Sequence, residues 1–78
     1  MYAERDSMNF NDLLAVIPKK QHLIVFKQGY LLLDFYTDEP REFFICGNAG
    51  DLFLLCDKNP AIKSVWLMYS ENALAIDV

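Results

Sequence analysis

Hydrophobic residues near the amino-terminal end of the chain recur at helical spacing. Phe10, Leu13, Leu14 and Ile17 follow the i, i+3, i+4, i+7 pattern of an amphipathic helix. Asn9 precedes them, and asparagine readily accepts hydrogen bonds from the free N–H groups of a first helical turn. The proline after Ile17 disfavours helical geometry at that residue. The pattern therefore predicts a first helix that begins after Asn9 and ends at Ile17.

Three runs of strand-forming residues follow this helix. Residues 23–26 and 30–36 are rich in aliphatic and aromatic side chains, which favour strands. Between them lies Gly29, which tolerates the positive φ of a tight turn. Residues 22–36 therefore predict a hairpin. After a polar turn, residues 42–46 predict a third strand.

A second helix and a closing hairpin complete the predicted order. Asn48 can cap a helix that carries Asp51 at its third position, which predicts a helix over residues 49–57. Residues 63–70 alternate as a strand does, and residues 73–78 predict the returning strand. The Asn-Pro pair at the end of the second helix separates it from this hairpin.

The resulting order is α-β-β-β-α-β-β, which predicts the α+β class, with a mainly antiparallel sheet and two short helices on one face. We expect residues 9–78 to form a single domain and residues 1–8 to form an N-terminal tail. The chain has 78 residues, of which 54% are hydrophobic. A domain this small covers only about 60% of the surface of its unfolded chain. Some of the apolar surface is therefore predicted to face a partner.

The net charge of −4 narrows the classes of partner. A nucleic-acid-binding protein usually carries a basic face, so we expect no direct binding to a nucleic-acid backbone. The acidic residues are scattered rather than grouped in one block, which does not favour a charge mimic of DNA. The chain shows no signal-peptide pattern and no apolar run near the ~18 residues that a membrane helix needs. We expect a cytoplasmic protein that does not contact a membrane.

The stretch Gly47-Asn-Ala-Gly50 superficially resembles a phosphate-binding loop, because it lies just before a predicted helix. A Walker loop requires lysine and then serine or threonine after its last glycine. Asp51 stands there instead, and its charge would repel a phosphate. A dinucleotide-binding fingerprint would need a third glycine. No nucleotide cofactor is therefore predicted.

Two cysteines and one histidine offer the remaining candidate chemistry. Cys46 precedes a predicted helix N-terminus, which can favour a thiolate, but no lysine or arginine lies between it and Asp57. Cys56 lies on the apolar stripe of the second helix. We interpret both as reduced, packed thiols rather than as a disulfide or a nucleophile. His22 is interpreted as a polar residue at the edge of the first strand, and a single histidine is poor evidence for zinc. No catalytic residue, metal or enzymatic activity is predicted.

Large side chains on the strands outnumber those that one covered sheet face can hide. Alternation places Trp66 and Met68 opposite Val65, Leu67 and Tyr69, and we expect the first two to be exposed. Aromatic residues and methionine are enriched in interface cores. The predicted partner-binding residues are Trp66, Met68, Tyr36, Asp38, Glu39 and Glu42. An edge strand within residues 74–78 is a further expected place for a partner strand to pair.

The segment Met8-Asn-Phe-Asn-Asp-Leu-Leu14 opens a helix, a three-strand meander and a second helix in a short acidic chain. In this layout the chain resembles the small phage-encoded anti-CRISPR proteins that inhibit Cas nucleases. The resemblance implies a non-enzymatic inhibitor that docks on a larger protein, and it implies no particular site residue. The closing hairpin and the modest acidity depart from that group, which argues against inhibition by DNA mimicry.

Two functions remain open at this level. The first is a non-enzymatic binding or inhibitor protein, encoded by a phage or mobile element, that docks on a larger protein through its aromatic sheet face and turn acids. The second is a structural or regulatory homodimer, in which a second copy covers the apolar face.

Overall fold

The computed structural model describes residues 8–38 and 42–78 and confirms the predicted α+β class and order of elements. The helices are α1 (Phe10–Val16) and α2 (Ala49–Lys58). The strands are β1 (Gln21–Lys27), β2 (Tyr30–Thr37), β3 (Phe43–Cys46), β4 (Ser64–Met68) and β5 (Ala73–Asp77). A short 3₁₀ helix, Tyr69–Glu71, connects β4 to β5.

The five strands form one sheet in the order β3-β2-β1-β5-β4. The pairs β1–β2, β2–β3 and β4–β5 are antiparallel, whereas β1 and β5 are parallel. The last strand therefore lies between β1 and β4. The expectation of an edge strand within residues 74–78 is wrong, because the long-range pairing with β1 places β5 inside the sheet. In the described sheet the edges are β3 and β4.

One face of the sheet packs against both helices. Phe10 of α1 and Phe35 of β2 are fully buried there. Leu55 anchors α2 to the same core, with Cys56 packed beside it. Each such apolar side chain contributes about 1.5–3 kcal/mol when it leaves water. The buried residues of this core are Phe10, Leu13, Leu23, Val25, Leu33, Phe35, Leu55, Ile76 and Val78.

Both helix starts and the end of α1 follow the sequence pattern. In α1, the Asn9 backbone N–H donates to the Asp12 carboxylate at 3.2 Å. In α2, the Asn48 side chain accepts from the Asp51 backbone N–H at 3.0 Å, and the Asp51 carboxylate accepts from the Asn48 N–H at 3.1 Å. Helix α1 ends because Ile17, before the proline, has an extended ψ of 148°.

The β1–β2 hairpin turns on two residues with positive φ, Gln28 at 52° and Gly29 at 83°. Such a pair produces the turn whose twist matches that of antiparallel strands. The register then shifts between Val25 and Phe26, because Leu32 is an extra residue on β2. This β-bulge decides which side chains of the two strands share a face.

The fourth strand is shorter than the sequence pattern predicts. β4 ends at Met68, and Tyr69 begins the 3₁₀ helix instead of continuing the alternation. Asn72 then adopts a φ of 52°, which lets the chain reverse into β5. Tyr69 therefore does not share a strand face with Val65 and Leu67 as expected.

Candidate protein interface

The sheet face turned away from the helices carries no helix among the described residues, and we call it the open face. Strand pairing defines it, because directly paired residues share a face. His22 pairs with Tyr36 and Ala73, and Ile24 pairs with Ala75. The open face comprises His22, Ile24, Phe26, Leu31, Asp34, Tyr36, Phe43, Cys46, Ser64, Trp66, Met68, Ala73, Ala75 and Asp77.

Small residues on β5 allow large residues to meet above it. Ala75 is fully buried under neighbouring side chains. The rings of Phe26 on β1 and Trp66 on β4 stack across this central strand, with centroids 5.8 Å apart and planes inclined by 20°. Met68 is half-buried against Ala73 in the same cluster. Trp66 nevertheless leaves 41% of its surface exposed.

A polar cluster lies further along the open face. His22 Nε2 lies 2.5 Å from Asp34 Oδ1, and His22 Nδ1 lies 3.4 Å from the Glu71 carbonyl oxygen. The Tyr36 ring stacks on the imidazole at a centroid distance of 4.4 Å. His22 is 6% exposed and belongs to an interior strand. His22 is the second residue of β1, near the end of the strand as expected. Its burial and its contact with Asp34 were not predicted.

The partners of His22 define the chemistry available to it. An acceptor oxygen lies beside each ring nitrogen, the Asp34 carboxylate at Nε2 and the Glu71 carbonyl at Nδ1. The contact with Asp34 joins β1 to β2 at a position where the His22 side chain is buried.

The most exposed large apolar side chain of the open face, Phe43, lies on the edge strand β3. Phe43 is 61% exposed and its ring lies 6.0 Å from that of Tyr36. Ile45 on the same strand is 56% exposed. The edge strand β4, at the other side of the sheet, also exposes Val65 and Leu67. Sequence reasoning missed Phe43 and Ile45, because exposure depends on which strands end at an edge.

The predicted partner-binding residues divide between two surfaces. Trp66 and Met68 lie on the open face, opposite Val65 and Leu67, as the alternation predicts, although Met68 is half-buried rather than exposed. Tyr36 lies on the same face because of the bulge in β2. Asp38 and Glu42 instead border a cavity of about 260 Å³ on the side of the helices, together with Leu14 and Leu52 and further residues of α1 and β2. Glu39 lies outside the described residues. The turn acids and the aromatic residues therefore do not form one continuous site.

Both cysteines are free thiols. Burial, and secondarily the negative charge of Glu42, raise the pKa of the Cys56 thiol. A raised pKa lowers the fraction of reactive thiolate at neutral pH. This agrees with the interpretation of Cys56 as a packed residue.

The glycine turn before α2 serves backbone geometry. Gly47 has a φ of 86°, and a Cβ atom there would collide with the Leu33 side chain and lie 3.1 Å from the Leu32 carbonyl oxygen. Asp51, which follows the second glycine, is occupied in capping α2. Within residues 8–38 and 42–78, no three His, Cys, Asp or Glu side chains cluster closely enough to hold a metal ion.

Comparisons with known proteins identify no relative. No protein-family model matches the chain, and searches of the curated proteins and of the solved structures also find no match. Neither α1 nor α2, the helices of the described residues, has the length and apolar character needed to cross a bilayer.

Proposed function

We propose that this protein is a non-enzymatic protein-binding module that docks on a larger protein through its open face. The observation that carries the proposal is the exposure of Phe43 and Trp66 on a sheet face that no helix of the described residues covers. Monomeric proteins rarely expose large apolar side chains in groups, and such groups commonly mark interaction sites.

The open face has the composition of an interface core. Aromatic side chains and methionine dominate protein interfaces because they bury a large area at a small entropic cost. Trp66 and Phe43 each carry enough exposed surface to contribute on the order of 1 kcal/mol when a partner covers them. Phe26 stacks on Trp66, and the tilted Tyr36 ring contacts Phe43. Both exposed side chains are thus held by a neighbouring ring, so binding would need little further ordering of them.

Inhibition of a larger protein is the form of binding that we propose first. The resemblance of residues 8–14 and of the element order to phage-encoded anti-CRISPR proteins supplies a first class of partner to test, the Cas nucleases. The open face, being apolar and aromatic, suits docking on a protein surface better than mimicry of DNA phosphates.

Paired capture experiments test this proposal. The tagged protein is immobilised and exposed to purified Cas nucleases and to host extracts, in parallel with Phe43→Lys and Phe53→Lys variants. Phe53 is 76% exposed on α2, away from the open face, and provides the matched control. We expect a specific protein to be retained by the wild type and by Phe53→Lys but lost with Phe43→Lys. Equal loss with both variants, or no specific retention by the wild type, contradicts the proposal.

The β4 edge favours the homodimer as a second candidate. Ser64–Met68 contains no charged residue, although charges usually protect an exposed edge strand from pairing. An antiparallel second copy would pair with this edge through the free backbone N–H and C=O groups of β4.

Light scattering distinguishes the two candidates. Pairing through β4 predicts the mass of two chains, and a Leu67→Lys variant would return the protein to a single chain. Docking on a foreign protein through the open face predicts the mass of one chain for the wild type and for the Leu67→Lys variant.

A further inference from the structure

A cavity of about 350 Å³ opens at one end of the open face, beside the stacked aromatic pair. Pairing across three strands builds it: Asp77 on β5 lies between Phe26 on β1 and Ser64 on β4. Trp66 lies two residues further along β4 and forms the opposite wall. The cavity is lined by Phe26, Gly29, Ser64, Trp66 and Asp77.

One oxygen of the Asp77 carboxylate lacks a hydrogen-bond partner among the described residues. This atom, Oδ1, is buried. The backbone N–H of Lys63 contacts the residue, but it donates to the Asp77 carbonyl oxygen at 2.7 Å. A carboxylate oxygen removed from water without a donor is costly, and a donor brought by a ligand removes that cost.

The nearest lysines along the chain do not supply this donor. Lys27 follows Phe26 on β1, so strand alternation directs its side chain toward the helix-bearing side. Lys27 accordingly lines a separate cavity there, with Leu54 of α2. Lys63 lies just before β4 and does not line the cavity at Asp77. Within residues 8–38 and 42–78, no lysine or arginine lines this cavity, so we look for the donor in a second molecule.

The walls of the cavity specify the kind of cation. Trp66 and Phe26 present aromatic rings, which attract cations and on which a planar guanidinium stacks. A guanidinium also presents several N–H donors in a fixed fork that suits a carboxylate. An ammonium group fits this combination less well, because it is compact and strongly hydrated. The net charge of −4 favours the approach of a cationic partner.

We propose that this cavity binds an arginine side chain presented by the partner protein, with the guanidinium stacked on Trp66 and hydrogen-bonded to Asp77. This inference rests on the proposed function and adds the chemistry of the group that the open face recognises. Asp77 supplies the charge, and the aromatic pair supplies the stacking surface.

Nuclear magnetic resonance titration with small probes tests the site without the partner. The probes are Nα-acetyl-arginine N-methylamide, its lysine counterpart and its citrulline counterpart, which is a neutral analogue of arginine. The Trp66 indole N–H resonance reports binding. We expect saturable shifts with the arginine probe and an apparent affinity at least about tenfold lower with the citrulline probe. Equal shifts with arginine and citrulline, or equal affinity for arginine and lysine, overturn the proposal.

Variants then locate the binding. Asp77→Asn should lower the affinity for the arginine probe by about tenfold or more. Asp57→Asn, at an exposed position on α2, should leave that affinity unchanged. If Asp77→Asn fails to fold, Trp66→Leu, followed through the Ala75 amide resonance, provides the second variant. Unchanged affinity in a folded Asp77→Asn or Trp66→Leu protein overturns the proposal.

The outcomes also separate this inference from the proposed function. Partner capture that depends on Phe43, together with no arginine binding at Asp77, refutes the arginine site and leaves the open-face interface in place. Arginine binding without Phe43-dependent capture of any protein refutes the proposed interface and leaves a small-cation site at Asp77.

Discussion

At the scale of single residues, the His22–Asp34 contact is the feature that the sequence pattern did not reveal. A two-residue turn alone would pair His22 with Phe35, whose side chain lies in the helix-covered core. The bulge at Leu32 shifts the register by one residue, so that His22 pairs with Tyr36 instead and reaches Asp34 diagonally. No local sequence signal marks this bulge, because leucine fits a regular strand equally well.

Replacement of Asp34 by asparagine should destabilise the protein. The change removes the charge from a buried pair and leaves His22 without its strong acceptor, which typically costs about 1–3 kcal/mol. Urea unfolding of Asp34→Asn measures the loss, with Asp57→Asn on the exposed side of α2 as the control, for which we expect a change within about 0.5 kcal/mol. Equal stability of the two variants would show that the His22–Asp34 pair contributes nothing.

The Cys56 thiol should react slowly at neutral pH. Its raised pKa keeps the thiol protonated at neutral pH. Alkylation should therefore accelerate as the pH rises toward and past the pKa of an ordinary thiol. The rate of iodoacetamide labelling in a Cys46→Ser variant, compared with glutathione over the same pH range, measures this. Labelling at pH 7 that is faster than that of glutathione would contradict the assignment of Cys56 as a packed thiol.

At the scale of elements, local patterns and long-range pairing differ in what the sequence reveals. Helical spacing, the cap at Asn48 and the Gln28-Gly29 turn act over a few residues, and the elements they predict are present. The parallel pairing of β1 with β5 joins segments about fifty residues apart, and no local pattern encodes it. The edge strands, and with them the exposed Phe43, follow only from that pairing.

The junction between β3 and α2 should tolerate change less than the hairpin turn does. Gly47 and Gly29 both have positive φ, so alanine strains the backbone at either position by about 1–2 kcal/mol. At Gly47 the new Cβ would also collide with Leu33, whereas at Gly29 it would meet open space. Urea unfolding should therefore show a larger loss for Gly47→Ala than for Gly29→Ala. Equal losses would contradict the close packing of this junction.

At the scale of the whole molecule, the two faces of the sheet differ in how well they are covered. The helix-covered face holds the main core, and the largest side chains of that core are fully buried. The open face holds a second, smaller cluster around Ile24 and Ala75, with Phe26 and Met68 packed against it. Trp66 and Phe43 are exposed at opposite edges of this face. Large apolar side chains are also exposed elsewhere, on the β4 edge at Val65 and Leu67 and on α2 at Phe53 and Leu54.

Footprinting of the captured complex tests the central claim most directly, because it measures which face the partner covers. Carbene labelling of the free protein and of the complex is compared residue by residue by mass spectrometry. We predict that Phe43 and Trp66 lose most of their labelling in the complex, while Phe53 and Leu54 on α2 label equally in both. Protection confined to α2, with Phe43 and Trp66 labelled as in the free protein, would contradict docking through the open face.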